Sequence, residues 1–249
     1  MASSEQPSGP LADPLADLVG GTPPPETGPS RLLTLAEATT PLTFVRLALA
    51  APFLTRSPRG DGHTVIDVPG WQAPEASGWP IRRFIAALGY DAHGWGFGTN
   101  KGDVARDVDR FHSRVLELAE RSGPVSLVGW SLGGVISREV ARRSPEAVRR
   151  VITYGTPVVG GPAYTAVASR YDDSARDRAE RAAADQVPIS VPVTTIFSRR
   201  DGIVAWQACL DRTSPHVEHV EVGSAHLAMG IDPSVWRVVA DRLARPVAP

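Results

Sequence analysis

The sequence predicts an α/β fold in which a mostly parallel sheet carries helices on both of its faces. From residue 62 onward, short runs rich in Val, Ile and Leu alternate with longer segments whose apolar residues recur at helical spacing. The short runs are nearly continuous in apolar residues, which is typical of strands buried on both faces of a parallel sheet. A chain of 249 residues is long enough for one domain of this kind.

Six runs are predicted as strands. The first, Thr64 to Val68, is rich in β-branched residues and ends at a Pro-Gly pair. The other five lie at residues 90–95, 125–128, 151–154, 191–197 and 217–222. In parallel sheets functional groups gather at the carboxyl ends of the strands, so the loops that follow these runs are the expected place for a site.

Four helices are predicted between and after these strands, at residues 81–88, 103–121, 132–143 and 235–243. The second has the clearest pattern, a single apolar stripe formed by Val104, Val108, Phe111, Val115 and Leu118. These helices are long enough to cover the sheet. The sequence contains no internal repeat.

The amino-terminal part of the chain has a different composition. Residues 1–30 contain seven prolines with scattered Gly and Ser, and are predicted to be a disordered tail before a single domain at 31–249. Residues 31–54 are apolar but are interrupted by Glu37, Pro41 and Arg46, which favours one or two helices packed on the domain over a membrane span or an interfacial anchor. No secretory signal is recognised, so a cytoplasmic location is expected.

Composition excludes several classes of protein. The formal net charge of −1 gives no basic field for nucleic acid, and the single cysteine, Cys209, cannot form an intrachain disulfide. No cluster of ligands has zinc-like spacing, so neither a metal nor an organic cofactor is expected. Of the 26 basic residues only Lys101 is a lysine, which suggests a G+C-rich genome such as that of an actinobacterium.

The strongest functional signal is a Gly-x-Ser-x-Gly pattern centred on Ser131, where a predicted strand runs directly into a predicted helix. A serine raised above the sheet edge needs a sharp turn, which predicts a positive φ at Ser131. Gly129 and Gly133 permit the close approach of strand and helix. A glycine-rich turn with an incidental serine is the alternative interpretation.

A serine nucleophile needs a base, and the base needs an orienting acid, which on this fold follow the serine in the order acid then base. Asp201 lies in the loop directly after the fifth strand, although an ordinary Asp-Gly turn would also explain it. Of the six histidines only His226 falls in the loop after the last strand. The weaker candidates for the acid are Asp172, Asp173, Asp211 and Asp232.

Two backbone amides are expected to stabilise a developing oxyanion. Leu132 N–H is the first free donor of the helix that begins after the serine. The second should come from the loop after the first strand, where Gly70 lets the backbone approach a substrate and Trp71 N–H is the candidate donor. A simple Pro-Gly turn is the alternative for this loop.

With these motifs the sequence resembles the α/β-hydrolase superfamily, in its compact bacterial esterase and lipase branch. The matching stretches lie at residues 65–70, 127–134, 154–157, 198–202 and 223–226. The resemblance implies hydrolysis through an acyl-enzyme, with Ser131, Asp201 and His226 as the triad. Trp130 departs from the pattern, because many relatives place histidine before the serine.

The pocket and its cover are also expected from the sequence. Aromatic residues at or beyond strand ends predict an acyl pocket, although large aromatic side chains also fill cores; the candidates are Trp95, Phe97, Trp130 and Trp206. A lid-like insertion is expected at about residues 160–187. Its Asp, Arg and Ala content offers little apolar surface to an oil droplet, which predicts a preference for soluble short- or medium-chain esters.

The sequence therefore predicts a serine hydrolase of small-molecule carboxylic esters. An acyltransferase that uses the same triad is one alternative, because both reactions share the acyl-enzyme. A hydrolase-like binding protein without catalysis is the other. The sequence leaves the acyl chain length, the stereochemical preference and the oligomeric state undetermined.

Overall fold

The computed structural model describes residues 15–23, 27–158, 165–166 and 187–247. These residues contain one six-stranded sheet in which every neighbouring pair of strands is parallel, in the order β2-β1-β3-β4-β5-β6. The strands are β1 (Thr64–Val68), β2 (Asp91–Gly94), β3 (Val125–Trp130), β4 (Val148–Tyr154), β5 (Val193–Phe197) and β6 (Val217–Glu221). The fold class predicted from the sequence is confirmed.

Helices cover both faces of this sheet. Two hydrophobic clusters fill the space between sheet and helices, one under α4 and α7 and the other under α5 and α6. The helices are α1 (Ala16–Gly21), α2 (Arg31–Ala36), α3 (Thr40–Leu54), α4 (Trp79–Ala87), α5 (Val104–Ser122), α6 (Leu132–Arg143) and α7 (Pro233–Ala244). Since the strands are parallel, their carboxyl ends meet at one edge of the sheet.

The start of β4 differs from the prediction. The strand begins at Val148, three residues before the predicted start at Val151. Arg149 and Arg150 interrupt the apolar run and so hide its beginning in the sequence. Arg150 is nevertheless buried, and its guanidinium donates to the carbonyl oxygens of Arg242 and Arg245 beyond the sheet.

Part of the predicted tail is ordered. Among residues 15–23, α1 packs its buried Val19 against the cluster that contains Phe197 and Leu210. Leu15, Leu18 and Val19 have the spacing of one helical stripe, which explains how this short stretch docks. The prediction of disorder is therefore wrong for this stretch, while residues 1–14 lie outside the described part of the chain.

Residues 31–54 form α2, a 3₁₀ turn at Glu37–Thr39 and α3. This run is long and apolar enough to cross a membrane by length and composition alone, and only 11% of its most apolar window is buried. α3 packs on α7 and contributes Leu47, Ala50 and Leu54 to the core on that side of the sheet. The helices therefore lie on the domain, as expected, but leave large apolar side chains in solvent.

Candidate functional site

Ser131 forms the whole connection between β3 and α6. Its backbone has φ 52° and ψ −121°, the positive φ that the sequence predicts. The Ser131 N–H donates to the Tyr154 carbonyl oxygen at 2.9 Å, and its carbonyl oxygen accepts from Thr156 Oγ1 at 3.0 Å. Both partners belong to the end of β4 and the loop after it, so the neighbouring strand holds the backbone of this half-buried serine in the turn.

The turn depends on residues without side chains. A Cβ at position 129 would lie 2.5 Å from the Gly134 Cα atom, and a Cβ at position 133 would lie 2.2 Å from the Val68 carbonyl oxygen. Both separations are shorter than any van der Waals contact between non-bonded heavy atoms. The pattern Gly-x-Ser-x-Gly therefore reflects the close crossing of β3, α6 and the end of β1.

Asp201 and His226 form a buried hydrogen-bonded pair. Asp201 Oδ2 lies 2.7 Å from His226 Nδ1, and the two side chains are 1% and 3% exposed. Asp201 Oδ1 accepts the backbone N–H groups of Ile203 at 2.8 Å and Val204 at 2.7 Å. The carboxylate is thus fixed by its own loop, and its second oxygen orients the imidazole.

His226 lies beside the serine turn. Its ring centroid is 5.7 Å from that of Trp130, the residue before Ser131. A Cβ at Gly155, which follows the Ser131-bonded Tyr154, would lie 2.8 Å from His226 Nδ1. Among the described residues the ring bonds directly to Asp201 and makes no hydrogen bond to Ser131.

The loop predicted to complete the oxyanion site also lies beside Ser131. A Cβ at Gly70 would be 3.3 Å from the Ser131 Cβ atom. Asn100, which is wholly buried, holds this loop. Its side-chain Nδ2 donates to the Pro69 carbonyl oxygen at 2.8 Å, and its backbone carbonyl oxygen accepts Gln72 N–H at 2.7 Å. Gln72 has a positive φ of 57°.

Asn100 is a residue that the sequence analysis missed. Its partners in this loop are backbone groups, and every residue has these, so no pattern of side chains in the sequence indicates the contacts. Within the described ranges, neither the N–H of Trp71 nor that of Leu132 has a hydrogen-bond acceptor.

The aromatic candidates do not form one pocket. Trp95 is wholly buried in the core under α5, where its indole N–H donates to the Gly98 carbonyl oxygen at 2.8 Å. Phe97 meets the Trp95 ring edge-on at 5.5 Å, and the Arg110 guanidinium lies over both rings. The prediction that Trp95 lines an open pocket is wrong, because a position after a strand does not determine which face its side chain takes.

Trp130 and Trp206 occupy different places. Trp130 adjoins His226, and its indole N–H is buried without a partner among the described residues. Trp206 stacks on Phe197 and borders a cleft of about 420 Å³ whose lining includes Asp201 but neither Ser131 nor His226. Of the four aromatic candidates, Trp130 is the one whose ring lies beside His226.

Another serine, histidine and aspartate lie together at the amino ends of the strands, where hydrogen bonds link Ser126, His63 and Asp61. His63 Nε2 is 2.8 Å from Ser126 Oγ, and His63 Nδ1 bonds to Asp61. Ser126 is 0% exposed and sits near the start of β3, so no substrate can reach it. Burial, the largest influence, lowers the pKa of His63. These three residues are structural, and accessibility distinguishes them from the site at Ser131.

Two other groups beside the site are kept neutral by burial. Burial raises the pKa of the Cys209 thiol well above its usual value, and the nearby Asp201 carboxylate adds to the effect. Burial likewise raises the pKa of Tyr154, with a further contribution from Asp67. Within the described ranges, no group of three or more His, Cys, Asp or Glu residues could hold a metal ion.

The lid-like insertion expected at about 160–187 lies outside the described residues, apart from Thr165, Ala166 and Val187. Thr165 forms an antiparallel bridge with Val204, which follows Asp201 by three residues.

Solved structures with similar folds include esterases and lipases. A carboxylesterase from Bacillus subtilis superposes with a TM-score of 0.52 at 15% identity, covering 82% of this chain and 99% of that one. A monoacylglycerol lipase from Paleococcus ferrophilus has a TM-score of 0.56 at 17% identity, covering 76% and 96%. The alpha/beta hydrolase domain-containing protein 10 from mouse has a TM-score of 0.53 at 20% identity, covering 76% and 90%.

Similarity at the level of sequence is confined to a short segment. The bifunctional biotin biosynthesis protein BioHC of Teredinibacter turnerae is 36% identical over 61 residues, which are 24% of this chain and 10% of that protein. The match thus spans about a tenth of the length of this curated relative. No protein-family model matches the chain.

Proposed function

Because the chain has the α/β-hydrolase fold, we propose that it is a serine hydrolase that cleaves small carboxylic esters through an acyl-enzyme. Ser131 is the nucleophile, His226 the general base and acid, and Asp201 the residue that orients the imidazole. The observation that carries the proposal is the buried 2.7 Å hydrogen bond between Asp201 and His226. It lies at the carboxyl ends of the strands, where Ser131 has its positive φ. The esterase and lipase neighbours support the same chemistry.

The reaction follows from the order of these groups. Ser131 Oγ attacks the ester carbonyl carbon while its proton passes to His226 Nε2. Asp201 keeps Nε2 available by accepting a hydrogen bond from Nδ1–H. The imidazolium returns the proton to the departing alcohol as the acyl–oxygen bond breaks. Water then repeats the two steps against the acyl-enzyme and releases the acid.

The carbonyl oxygen acquires negative charge in each tetrahedral intermediate. The free N–H groups of Leu132 and Trp71 are the proposed donors to this oxyanion. The position of Gly70, where an added Cβ would lie 3.3 Å from Ser131 Cβ, and the anchoring of the loop by Asn100 support this role. Since the loop is fixed before substrate binds, little reorganisation is needed in the transition state.

Ester substrates of short or medium chain length are proposed on the composition of the insertion at about 160–187, which is rich in Asp, Arg and Ala. Trp130 supplies an apolar wall next to the base. A series of p-nitrophenyl esters of increasing acyl length tests this proposal. An activity that jumps when the ester exceeds its solubility limit would contradict it.

Covalent labelling tests the catalytic proposal. A fluorophosphonate should label the wild-type protein at Ser131, and Ser131→Ala should lower ester turnover by a factor on the order of 10⁴ to 10⁶. Ser126→Ala is the matched control, because it removes the buried hydroxyl that bonds to His63 and should leave labelling and turnover unchanged. Labelling that survives in both Ser131→Ala and His226→Ala would refute the assignment.

Product analysis with an added alcohol separates hydrolysis from acyl transfer. A hydrolase releases mainly the free carboxylic acid, whereas a transferase gives mainly the new ester.

A further inference from the structure

We propose that Glu37 is a positioning residue of the catalytic site, which rests on the function proposed above. Glu37 lies in the 3₁₀ turn between α2 and α3, far from the triad in sequence, and is 7% exposed. Its carboxylate accepts three backbone N–H groups from the two loops that carry the acid and the base. It thereby joins these loops at the residues next to Asp201 and at His226 itself.

The three contacts are short. Glu37 Oε1 accepts Gly202 N–H at 2.8 Å and His226 N–H at 2.8 Å, and Oε2 accepts Leu227 N–H at 2.9 Å. Hydrogen bonds to a carboxylate are roughly twice as strong as those between neutral groups. Removal of this side chain would leave three buried or partly buried donors unpaired at one point.

The rest of the segment fits the same place. Thr34 Oγ1 donates to the Gly202 carbonyl oxygen at 2.9 Å. A Cβ at Gly202 would lie 2.2 Å from the Leu33 carbonyl oxygen, so the residue after the proposed acid must lack a side chain for α2 to dock. Arg46 on α3 pairs with the buried Asp232 at 3.1 Å. α2 and α3 thus fasten Glu37 against both loops.

The consequence for catalysis is geometric. Within the described ranges, the partners of the Glu37 carboxylate are the N–H groups of Gly202, His226 and Leu227, and Ser131 is not among them, so loss of this carboxylate should lower kcat more than it changes KM. A displacement of about 1 Å in a catalytic group can cost about 100-fold in rate. We expect Glu37→Ala to lower kcat by about 10- to 100-fold for this reason.

The experiment compares Glu37→Ala, Glu37→Gln and the wild type. The amide oxygen of Gln can still accept from Gly202 and His226, whereas its NH₂ group opposes Leu227 N–H, so kcat should fall in the order wild type, Gln, Ala. Glu117→Gln, at an exposed carboxylate on α5, is the matched control and should behave as the wild type.

The NMR signal of the His226 Nδ1 proton is the second readout and needs no turnover. It should shift or broaden in Glu37→Ala, because the hydrogen bond to Asp201 loses its fixed geometry. Folded Glu37→Ala with kcat within twofold of the wild type and an unchanged proton signal would overturn the proposal. An inactive wild type with a shifted signal in the variant would instead refute the hydrolase function alone. Glu37→Gln keeps the test decisive if Glu37→Ala does not fold.

A different observation leads to a second inference, which concerns the outer face of α3. Large apolar side chains that are 57–72% exposed occupy this face: Leu42, Phe44, Val45, Leu49 and Phe53. Trp79 on α4, 59% exposed, continues it across a groove of about 630 Å³ that Phe44 also lines. We call this surface the α3 face.

Arginines flank the α3 face, and one of them, Arg46, is paired with the Asp232 carboxylate. The exposed ionisable side chains within residues 31–60 are arginines: Arg31, Arg46, Arg56 and Arg59. The one acidic residue of this range, Glu37, is buried. Arg56 lies over Phe53 at 5.7 Å, and Arg83 lies over Trp79 at 5.7 Å. The whole chain carries a net charge of −1, so this positive charge is local.

We infer that the α3 face docks on an anionic lipid surface. An apolar helix face flanked by arginine and tryptophan is typical of helices that lie in the membrane interface. The packing of α3 on α7 and the Arg46–Asp232 pair hold the helix along the domain, which favours lying on the bilayer over crossing it. A symmetric second copy fits less well, because self-pairing would bring arginines against arginines.

Vesicle sedimentation tests this inference. The wild type should sediment with vesicles that contain phosphatidylglycerol, less with phosphatidylcholine alone, and less again at high salt. The double variant Leu42→Ser/Leu49→Ser should reduce binding by about tenfold or more, because two exposed leucines no longer enter the lipid. Val187→Ser, at an apolar residue that is 69% exposed elsewhere, is the control.

Two outcomes would overturn the inference. One is a wild type that binds neither kind of vesicle. The other is a wild-type dimer in sedimentation velocity that the double variant dissociates, which would assign the α3 face to a second copy of the chain.

Discussion

The replacement Asp201→Asn should keep the fold and remove most of the ester hydrolysis. Asn can use its carbonyl oxygen to accept the N–H groups of Ile203 and Val204, the bonds that Asp201 Oδ1 now makes at 2.8 and 2.7 Å. Its NH₂ group then faces His226 Nδ1 at the position of Oδ2, 2.7 Å away. Two N–H donors cannot share this contact.

His226 must therefore adopt the tautomer that carries its proton on Nε2. In this state the ring cannot accept the proton of Ser131, and the attack loses its base. The same change in a serine protease lowers kcat by about 10⁴, which corresponds to about 5.5 kcal/mol in the activation free energy. We expect a loss of this size here.

Initial rates with p-nitrophenyl esters measure the effect, and thermal unfolding shows whether the variant is folded. Asp109→Asn is the matched control, since this carboxylate is 70% exposed and pairs with Arg143 on the surface. A folded Asp201→Asn protein with kcat within tenfold of the wild type would refute the assigned roles of Asp201 and His226.

Three further predictions concern stability. Burial raises the pKa of Asp67 to about 7 from its ordinary value of 3.8, so the stability that this residue contributes is lost as the pH rises between these values. Asp67→Asn should therefore flatten the pH dependence of the free energy of urea unfolding, and an unchanged slope would contradict this. Gly129→Ala should lower the free energy of unfolding by about 1–3 kcal/mol in the same assay, because its Cβ would lie 2.5 Å from the Gly134 Cα atom. Gly230→Ala, with no atom within 4 Å of its Cβ, should have little effect. Asp211→Asn would leave the buried Arg138 without its counter-charge at 2.6 Å and should cost about 3–5 kcal/mol in denaturant unfolding; a smaller loss than in Gly230→Ala would rule this out.

The sheet and the order of its helices could be predicted because their signals are local. β1 and α6 have the predicted bounds, since each is an apolar pattern enclosed by residues that end it. The positive φ of Ser131 could be predicted because a strand that runs directly into a helix requires a sharp turn at the serine. Where Arg149 and Arg150 break the pattern, the start of β4 could not be found.

The support of the site could not be predicted, because it uses backbone groups as partners. Glu37 binds amides that are 165–190 residues away, and such amides have no side-chain identity to recognise. Asn100 holds its loop through carbonyl and N–H groups in the same way. The prediction that Trp95 lines the pocket was wrong for another reason. The end of a short strand does not reveal on which face of the sheet a side chain lies.

The long separation of Glu37 from its partners also affects biosynthesis. Its last partner, Leu227, follows it by 190 residues, which at a translation rate of about 5–20 residues per second is a delay of about 10–40 seconds. During this interval the nascent chain presents Leu47 and Leu54 of α3 without the domain on which they pack. Completion of the Glu37 contacts should therefore be among the last events on or after the ribosome, and the emerging amino-terminal segment is where chaperone binding is expected.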